Sequence, residues 1–123
     1  MKVILDANII IYSLQPQNEK LSKWLEEHTL YVSAITQLEV LGYHRITKDE
    51  IVFAKRYFSN CNIISIQQYI IESAIDFRQQ KSMSVGDAII AATAVTNELP
   101  IVTANTQDFK HLENIKCINP LAL

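Results

Sequence analysis

Four acidic side chains stand where this chain could do chemistry: Asp6, Glu39, Asp87 and Asp108. Asp6 directly follows the apolar run Val3-Ile4-Leu5, and Asp108 lies downstream of a second such run, Ile101-Val102. Singly, each has an ordinary role open to it. Asp6 reads as the N-cap of a helix starting near Asn8, and Asp108 as a turn or cap residue. Glu39 sits four residues after Ile35, at the edge of an expected apolar stripe through Ile35, Leu38 and Leu41, where an acid either snorkels to solvent or faces a polar pocket. Asp87 is third after Ser84, so Ser84-Val85-Gly86-Asp87 reads as a capping box before the apolar stretch Ala88-Ile89-Ile90-Ala91-Ala92. Jointly they say more. Four carboxylates in one cleft repel each other, and their pKa values rise until some stay protonated. A divalent cation removes that penalty, and Mg²⁺ and Mn²⁺ are hard ions that take oxygen ligands. Such an ion lowers the pKa of a water, and a second stabilises the leaving oxygen of an in-line phosphodiester displacement. No His or Cys spacing of the zinc type accompanies the acids, so this chemistry is favoured over zinc hydrolysis.

Acids so far apart meet only if the fold gathers them. The chain alternates short β-branched runs with helical stretches. Strands are expected at residues 3–5, 30–32, 62–66 and 101–103, with a fifth at 115–118. Helices are expected over 8–14, 18–28, from a Ser33 cap to about Tyr43, from the capping box Thr47-Lys48-Asp49-Glu50 through Phe58, over 67–81, and over 84–98, where Pro100 stops the last. Strands made of short, wholly apolar runs are buried on both faces, the mark of a parallel sheet. The alternation then predicts a single-domain α/β three-layer sandwich, with a parallel sheet of four to five strands and right-handed crossovers. Ligand sites in such folds lie beyond the carboxyl ends of the strands, where Asp6 and Asp108 fall.

Composition narrows the classes. The chain has 123 residues, is 49% hydrophobic and carries a net charge of -2, which fits one domain and excludes disorder. No apolar run approaches the length of a membrane span, and the run after Met1-Lys2 is too short for a signal peptide. Cys61 and Cys117 are far apart and outside any CxxC pattern, which fits a reducing cytoplasm. Gly42 and Gly86 stand alone, so neither a dinucleotide fingerprint nor a P-loop is present. The net charge argues against a large basic surface for nucleic acid but leaves room for a local acidic site offset by cations. His28, His44 and His111 have no ligand spacing and are expected at the surface or at helix ends. Arg45, Lys48, Lys55, Arg56 and Lys110 read as solvated helix faces, with contact to RNA phosphates as the sharper alternative. Phe53, Tyr57 and Phe58 read as core, or alternatively as a groove for an apolar partner helix.

These residues resemble a known family. Val3-Ile4-Leu5-Asp6-Ala7-Asn8 is similar to the opening strand of a PIN domain, and Ser33-Ala34-Ile35-Thr36-Gln37-Leu38-Glu39 to its second motif. Ser84-Val85-Gly86-Asp87-Ala88-Ile89-Ile90-Ala91-Ala92 resembles the third, and Val102-Thr103-Ala104-Asn105-Thr106-Gln107-Asp108-Phe109 the last. The motifs come in the family's order across residues 3–109, and the short single-domain form resembles the VapC-like toxins. The resemblance implies a flavodoxin-like parallel sheet and a Mg²⁺- or Mn²⁺-dependent ribonuclease. Asp6, Glu39, Asp87 and Asp108 map onto the acidic metal ligands, and Asn8, Thr103 and Asn105 onto supporting polar positions. It also implies a homodimer and a small antitoxin protein that blocks the cleft. Two positions depart from the pattern. Ala7 stands where many members carry Thr, and Asn105 where some carry a further Asp, which leaves fewer charges for a second ion.

The expected function is therefore endoribonucleolytic cleavage of RNA in the cytoplasm, away from membranes. Asp6 and Asp87 are expected as direct ligands, and Glu39 as a ligand directly or through a water. A rival reading keeps the fold as a catalytically weak or silent module that binds nucleic acid or protein; such a module gains no thermal stability from Mn²⁺. A phosphorelay receiver is disfavoured, because it needs paired acids after the first strand and Asp6 has no acidic neighbour.

Overall fold

The protein is described by a computed structural model covering residues 1–122. Its first strand, β1 (Lys2–Leu5), is the centre of the molecule. Val3, Ile4 and Leu5 have no solvent exposure. Side chains alternate across a strand, and the packing follows that alternation. Val3 and Leu5 join Ile9, Ile10, Leu21, Leu25, Val40 and Phe58 in one cluster. Ile4 joins Ile90, Ala91, Ala94, Ile101 and Phe109 in another. A strand apolar at its last three positions is thus covered on both sides, which makes the three-layer sandwich.

The first side is built by α1 (Ala7–Ser13), α2 (Glu19–Glu26) and α4 (Lys48–Ser59). The second is built by α6 (Val85–Thr96), on which α5 (Gln68–Gln80) packs through Ile70, Ala74, Ala88, Ile89 and Ala92. The short α3 (Ala34–Leu41) sends Val40 into the first cluster and also reaches α6. The remaining strands are β2 (Thr29–Ser33), β3 (Asn62–Ile64), β4 (Ile101–Val102) and β5 (Cys117–Ile118). All pair in parallel, in the order β3-β2-β1-β4-β5. The chain reverses its direction of winding between β1 and β4, and ligand sites in open α/β sheets lie at such a switch point.

Elements expected from periodicity all form, with ends shifted by a few residues: β1, β2 and α4 run slightly longer, and others shorter. The expected third strand, 62–66, stops at Ile64, because it is an edge strand with Asn62 and Ile63 exposed and the chain turns away into α5. The expected helix 84–98 ends at Thr96, and Glu98 takes a positive φ of 53° just beyond it, a common way for a helix to terminate. The expected helix 18–28 shortens to Glu19–Glu26. No helix among the described residues is long and apolar enough to cross a membrane.

Candidate active site

β1 and β4 run side by side, with Leu5 in register with Val102. The residues that follow them therefore leave the sheet together. Asp6 donates its backbone N–H to the Val102 carbonyl at 3.0 Å. Its side chain is only 7% exposed, and its Oδ2 accepts a hydrogen bond from Thr103 Oγ1 at 2.9 Å. Thr103 is fully buried, and its hydroxyl oxygen in turn accepts the Asn105 backbone N–H at 3.0 Å. Residues 97 apart in sequence thus hold one carboxylate in place. The N-cap role expected of Asp6 is corrected here. The residue stands at the N-cap of α1, yet its side chain makes no capping hydrogen bond, because the carboxylate turns to Thr103 instead.

Glu39 arrives from β2. Ser33 ends that strand and caps α3, its hydroxyl accepting the Ile35 N–H at 3.2 Å. The apolar stripe expected on α3 holds in part: Ile35 and Leu41 are half-buried against the core clusters and Leu38 is 67% exposed, while the fully buried positions are Thr36 and Val40, four apart. Glu39 is an exposed residue, but its carboxylate lies against the first turn of α6. A Cβ built on Gly86 would stand 2.6 Å from Glu39 Oε2. The next residue is Asp87. Its N–H is accepted by the Ser84 hydroxyl at 3.1 Å, which caps α6. Only this half of the expected capping box forms, and the Asp87 carboxylate is left to the cleft. Asp108 lies half-buried in a single 3-10 turn, Thr106–Phe109, pinned by buried Phe109.

The four acids share one electrostatic field. Burial pushes the Asp6 carboxyl above its ordinary range; the Thr103 hydroxyl and the Ala7 amide oppose this, and the Asp108 charge adds to it. Glu39 is raised by burial, then by Asp6 and Asp87. Asp87 is raised by burial, then by Asp6 and Asp108, against the Ser84 hydroxyl. No cationic side chain is among these causes. The donor set is all oxygen, which suits a hard divalent cation. Among the described residues, no group of three or more His, Cys, Asp or Glu side chains is gathered closely enough to hold a metal ion as the side chains stand.

The other candidate residues divide. Asn105 supports Thr103 through its backbone. Asn8 is exposed in the first turn of α1, and its side chain makes no hydrogen bond among the described residues. His28 lies just past the end of α2, stacked on Trp24 at 4.0 Å, and His44 is exposed, both as expected. His111 is not: both its ring nitrogens are buried without a partner among the described residues. The aromatic trio splits. Phe58 is core, Tyr57 packs against it, and Phe53 is 54% exposed. Phe53 lines a groove of about 460 Å³ with Ile11, Leu14, Val40 and Tyr43, and Glu39 is part of its wall. Gly86 was not singled out by its type, although a lone Gly inside a helical pattern is itself a signal of close packing or function.

The PIN domain profile matches residues 3–115. A protein from Rickettsia bellii (strain RML369-C) with the name Ribonuclease VapC is 30% identical, and the match covers 96% of each chain. Among solved structures, the fold is similar to one described as a toxin-antitoxin complex from Klebsiella pneumoniae, at 30% identity and a TM-score of 0.78, covering 96% of this chain and 97% of that one. It is similar also to FitAcB from Neisseria gonorrhoeae, at 28% identity and a TM-score of 0.81 over the whole of both chains. With its motifs in order on a five-stranded parallel sheet and its acids at the switch point, the chain belongs to the PIN domain family, in the VapC-like group.

Proposed function

We propose that this chain is a Mg²⁺- or Mn²⁺-dependent endoribonuclease and the toxin of a toxin–antitoxin pair. One observation carries the reading: four acids from four separate segments share a field at the carboxyl ends of the strands, and no cation offsets them. Asp6 and Asp87 are the direct ligands, Glu39 completes the set directly or through a water, and Asp108 adds charge. Bound there, the ion would supply a Lewis acid that lowers the pKa of a water and neutralises the phosphodiester. The protein's own part is positional. Thr103 fixes which oxygen of Asp6 faces the cleft, and Ser84 anchors the turn that presents Asp87. In the metal-free site the raised carboxyl pKa values favour bound protons, so acid and metal compete for the same oxygens.

The name of the Rickettsia relative and the toxin–antitoxin title of the Klebsiella structure support RNA as substrate and an antitoxin as partner. Arg45, Lys48, Lys55, Arg56 and Lys110 are all exposed and available to RNA phosphates. The apolar groove beside Glu39 suits an antitoxin helix, whose acidic-site end would block the carboxylates. A homodimer is supported by Ile75 and Val85, exposed over the α5–α6 pair. The cytoplasm is the fitting compartment for two free thiols.

The test is cleavage of labelled single-stranded RNA by the purified chain, with Mg²⁺ or Mn²⁺ against EDTA. Cleavage is expected with either ion and is lost in EDTA and in Asp6→Asn, where the loss exceeds the roughly 10- to 100-fold of an outer-sphere change. Full activity in Asp6→Asn would falsify the site. Absence of both cleavage and Mn²⁺-dependent thermal stabilisation would leave the silent binding module instead. Growth arrest on expressing the chain alone, relieved by a small protein encoded beside it, tests the toxin role.

A further inference from the structure

We propose that Gly86 is a positioning residue for Glu39, kept free of a side chain so that the Glu39 carboxylate can rest on the first turn of α6 beside Asp87. The inference rests on the metal-site reading above and extends it to a residue outside the acidic set. Glycine is often required where the backbone takes a positive φ, but no glycine in this chain does so. Backbone conformation therefore does not explain the choice. Within a helix glycine is also a poor former, roughly 0.5–1 kcal/mol worse than alanine. Only the missing side chain is left to explain it. A Cβ at this position would lie 2.6 Å from Glu39 Oε2 and 3.1 Å from both Cδ and Oε1. Non-bonded heavy atoms settle near 3.5–4.0 Å, so that Cβ and the present carboxylate cannot coexist.

What would yield is Glu39 and not the backbone. The residue is exposed, and its carboxylate accepts no hydrogen bond from any protein donor among the described residues. A methyl at 86 would swing the carboxylate off α6 at little cost to the fold. It would also separate Glu39 from Asp87 and Asp6, the acids whose charges it now feels. The consequence is a separation of stability from ion binding at a residue with no ligand atom in its side chain.

The experiment compares the full-length wild type with Gly86→Ala, Glu39→Asp and the double variant. Two quantities are read by thermal unfolding: Tm without metal, and the Mn²⁺ concentration that gives half the maximal rise in Tm. Gly86→Ala is expected to keep or raise the metal-free Tm, while the Mn²⁺ requirement rises roughly 10- to 100-fold. Glu39→Asp alone also weakens Mn²⁺, because the shorter side chain falls short of its place. In the Gly86→Ala background it should instead recover part of the loss, since the shorter side chain clears the added methyl. That reversal of sign is a coupling that two independent effects cannot produce. The proposal is overturned if Gly86→Ala responds to Mn²⁺ like the wild type, if its metal-free Tm drops, or if the two losses add. A wild type that shows no Mn²⁺ response would overturn the metal-site reading itself, and this proposal with it.

Discussion

Thr103 stands between two backbone-anchored groups and does for Asp6 what no neighbour in sequence does. It takes the Asn105 N–H and gives its own hydroxyl hydrogen to Asp6. Thr103→Val removes both bonds and leaves a buried carboxylate and an amide unsatisfied. The expected cost is about 1–3 kcal/mol in urea unfolding and roughly 10- to 100-fold in metal-dependent cleavage, whereas Thr103→Ser keeps most of both. Asp6 itself illustrates an opposition between stability and function. Its carboxyl is raised in the folded state, so the proton binds more tightly there than in the unfolded chain. The charged form is therefore a liability once the pH exceeds the ordinary carboxyl value of about 4. Asp6→Asn, expected to lose cleavage, should for that reason be more stable than the metal-free wild type at pH 7, by roughly 0.5–2 kcal/mol.

At the scale of elements, helix termini decide where the acids end up. Ser33 and Ser84 cap the helices that carry Glu39 and Asp87, and both caps were legible in the sequence because capping is local chemistry. The Thr47 capping box was legible for the same reason and forms in full, with Thr47 Oγ1 to the Glu50 N–H at 3.2 Å and Glu50 Oε1 to the Thr47 N–H at 2.9 Å. It opens α4, where Glu50 lines the groove that Glu39 also borders, while Asp6, Asp87 and Asp108 lie outside that groove. Thr47→Ala should cost about 1 kcal/mol, seen as a Tm lower by roughly 4 °C, with cleavage unchanged. The rotation of α3 was not legible. Ile35, Leu38 and Leu41 fit helical spacing as well as Thr36 and Val40 do, and only the elements packed around α3 (α1, α4, β2 and α6) decide that Thr36 and Val40 are buried, Ile35 and Leu41 half-buried and Leu38 exposed.

For the whole molecule, the acid cluster links metal, protons and stability. Asp6, Glu39 and Asp87 all have raised carboxyl pKa values. The metal-free protein therefore loses part of its stability as pH rises from the ordinary carboxyl range through those raised values. Mn²⁺ acts in the opposite sense. Its binding needs the deprotonated acids, so the Tm gain it gives should grow as pH rises from about 4 toward 7 and vanish on acidification. At about 100 times the dissociation constant the gain is worth roughly 2.7 kcal/mol. Differential scanning fluorimetry with Mn²⁺ and with EDTA across that range checks both signs. A Tm gain independent of pH would mean that the ion binds elsewhere.

From the sequence by itself came the class of fold, a count of four to five strands, the Ser33, Thr47 and Ser84 caps and the four candidate acids, since each is written in composition, periodicity or short motifs. Asp6 shows the boundary of that knowledge. Its place at a helix N-cap was readable from its neighbours, but its partner, Thr103, is 97 residues away and becomes adjacent only because β1 pairs with β4. Gly86 shows the same boundary more sharply, since its meaning depends on a carboxylate delivered by another helix. Local hydrogen bonding and hydrophobic period act over a few residues, and so the sequence carries them openly. Strand order and helix rotation are settled by which surfaces bury each other, and only the packed tertiary structure states the result.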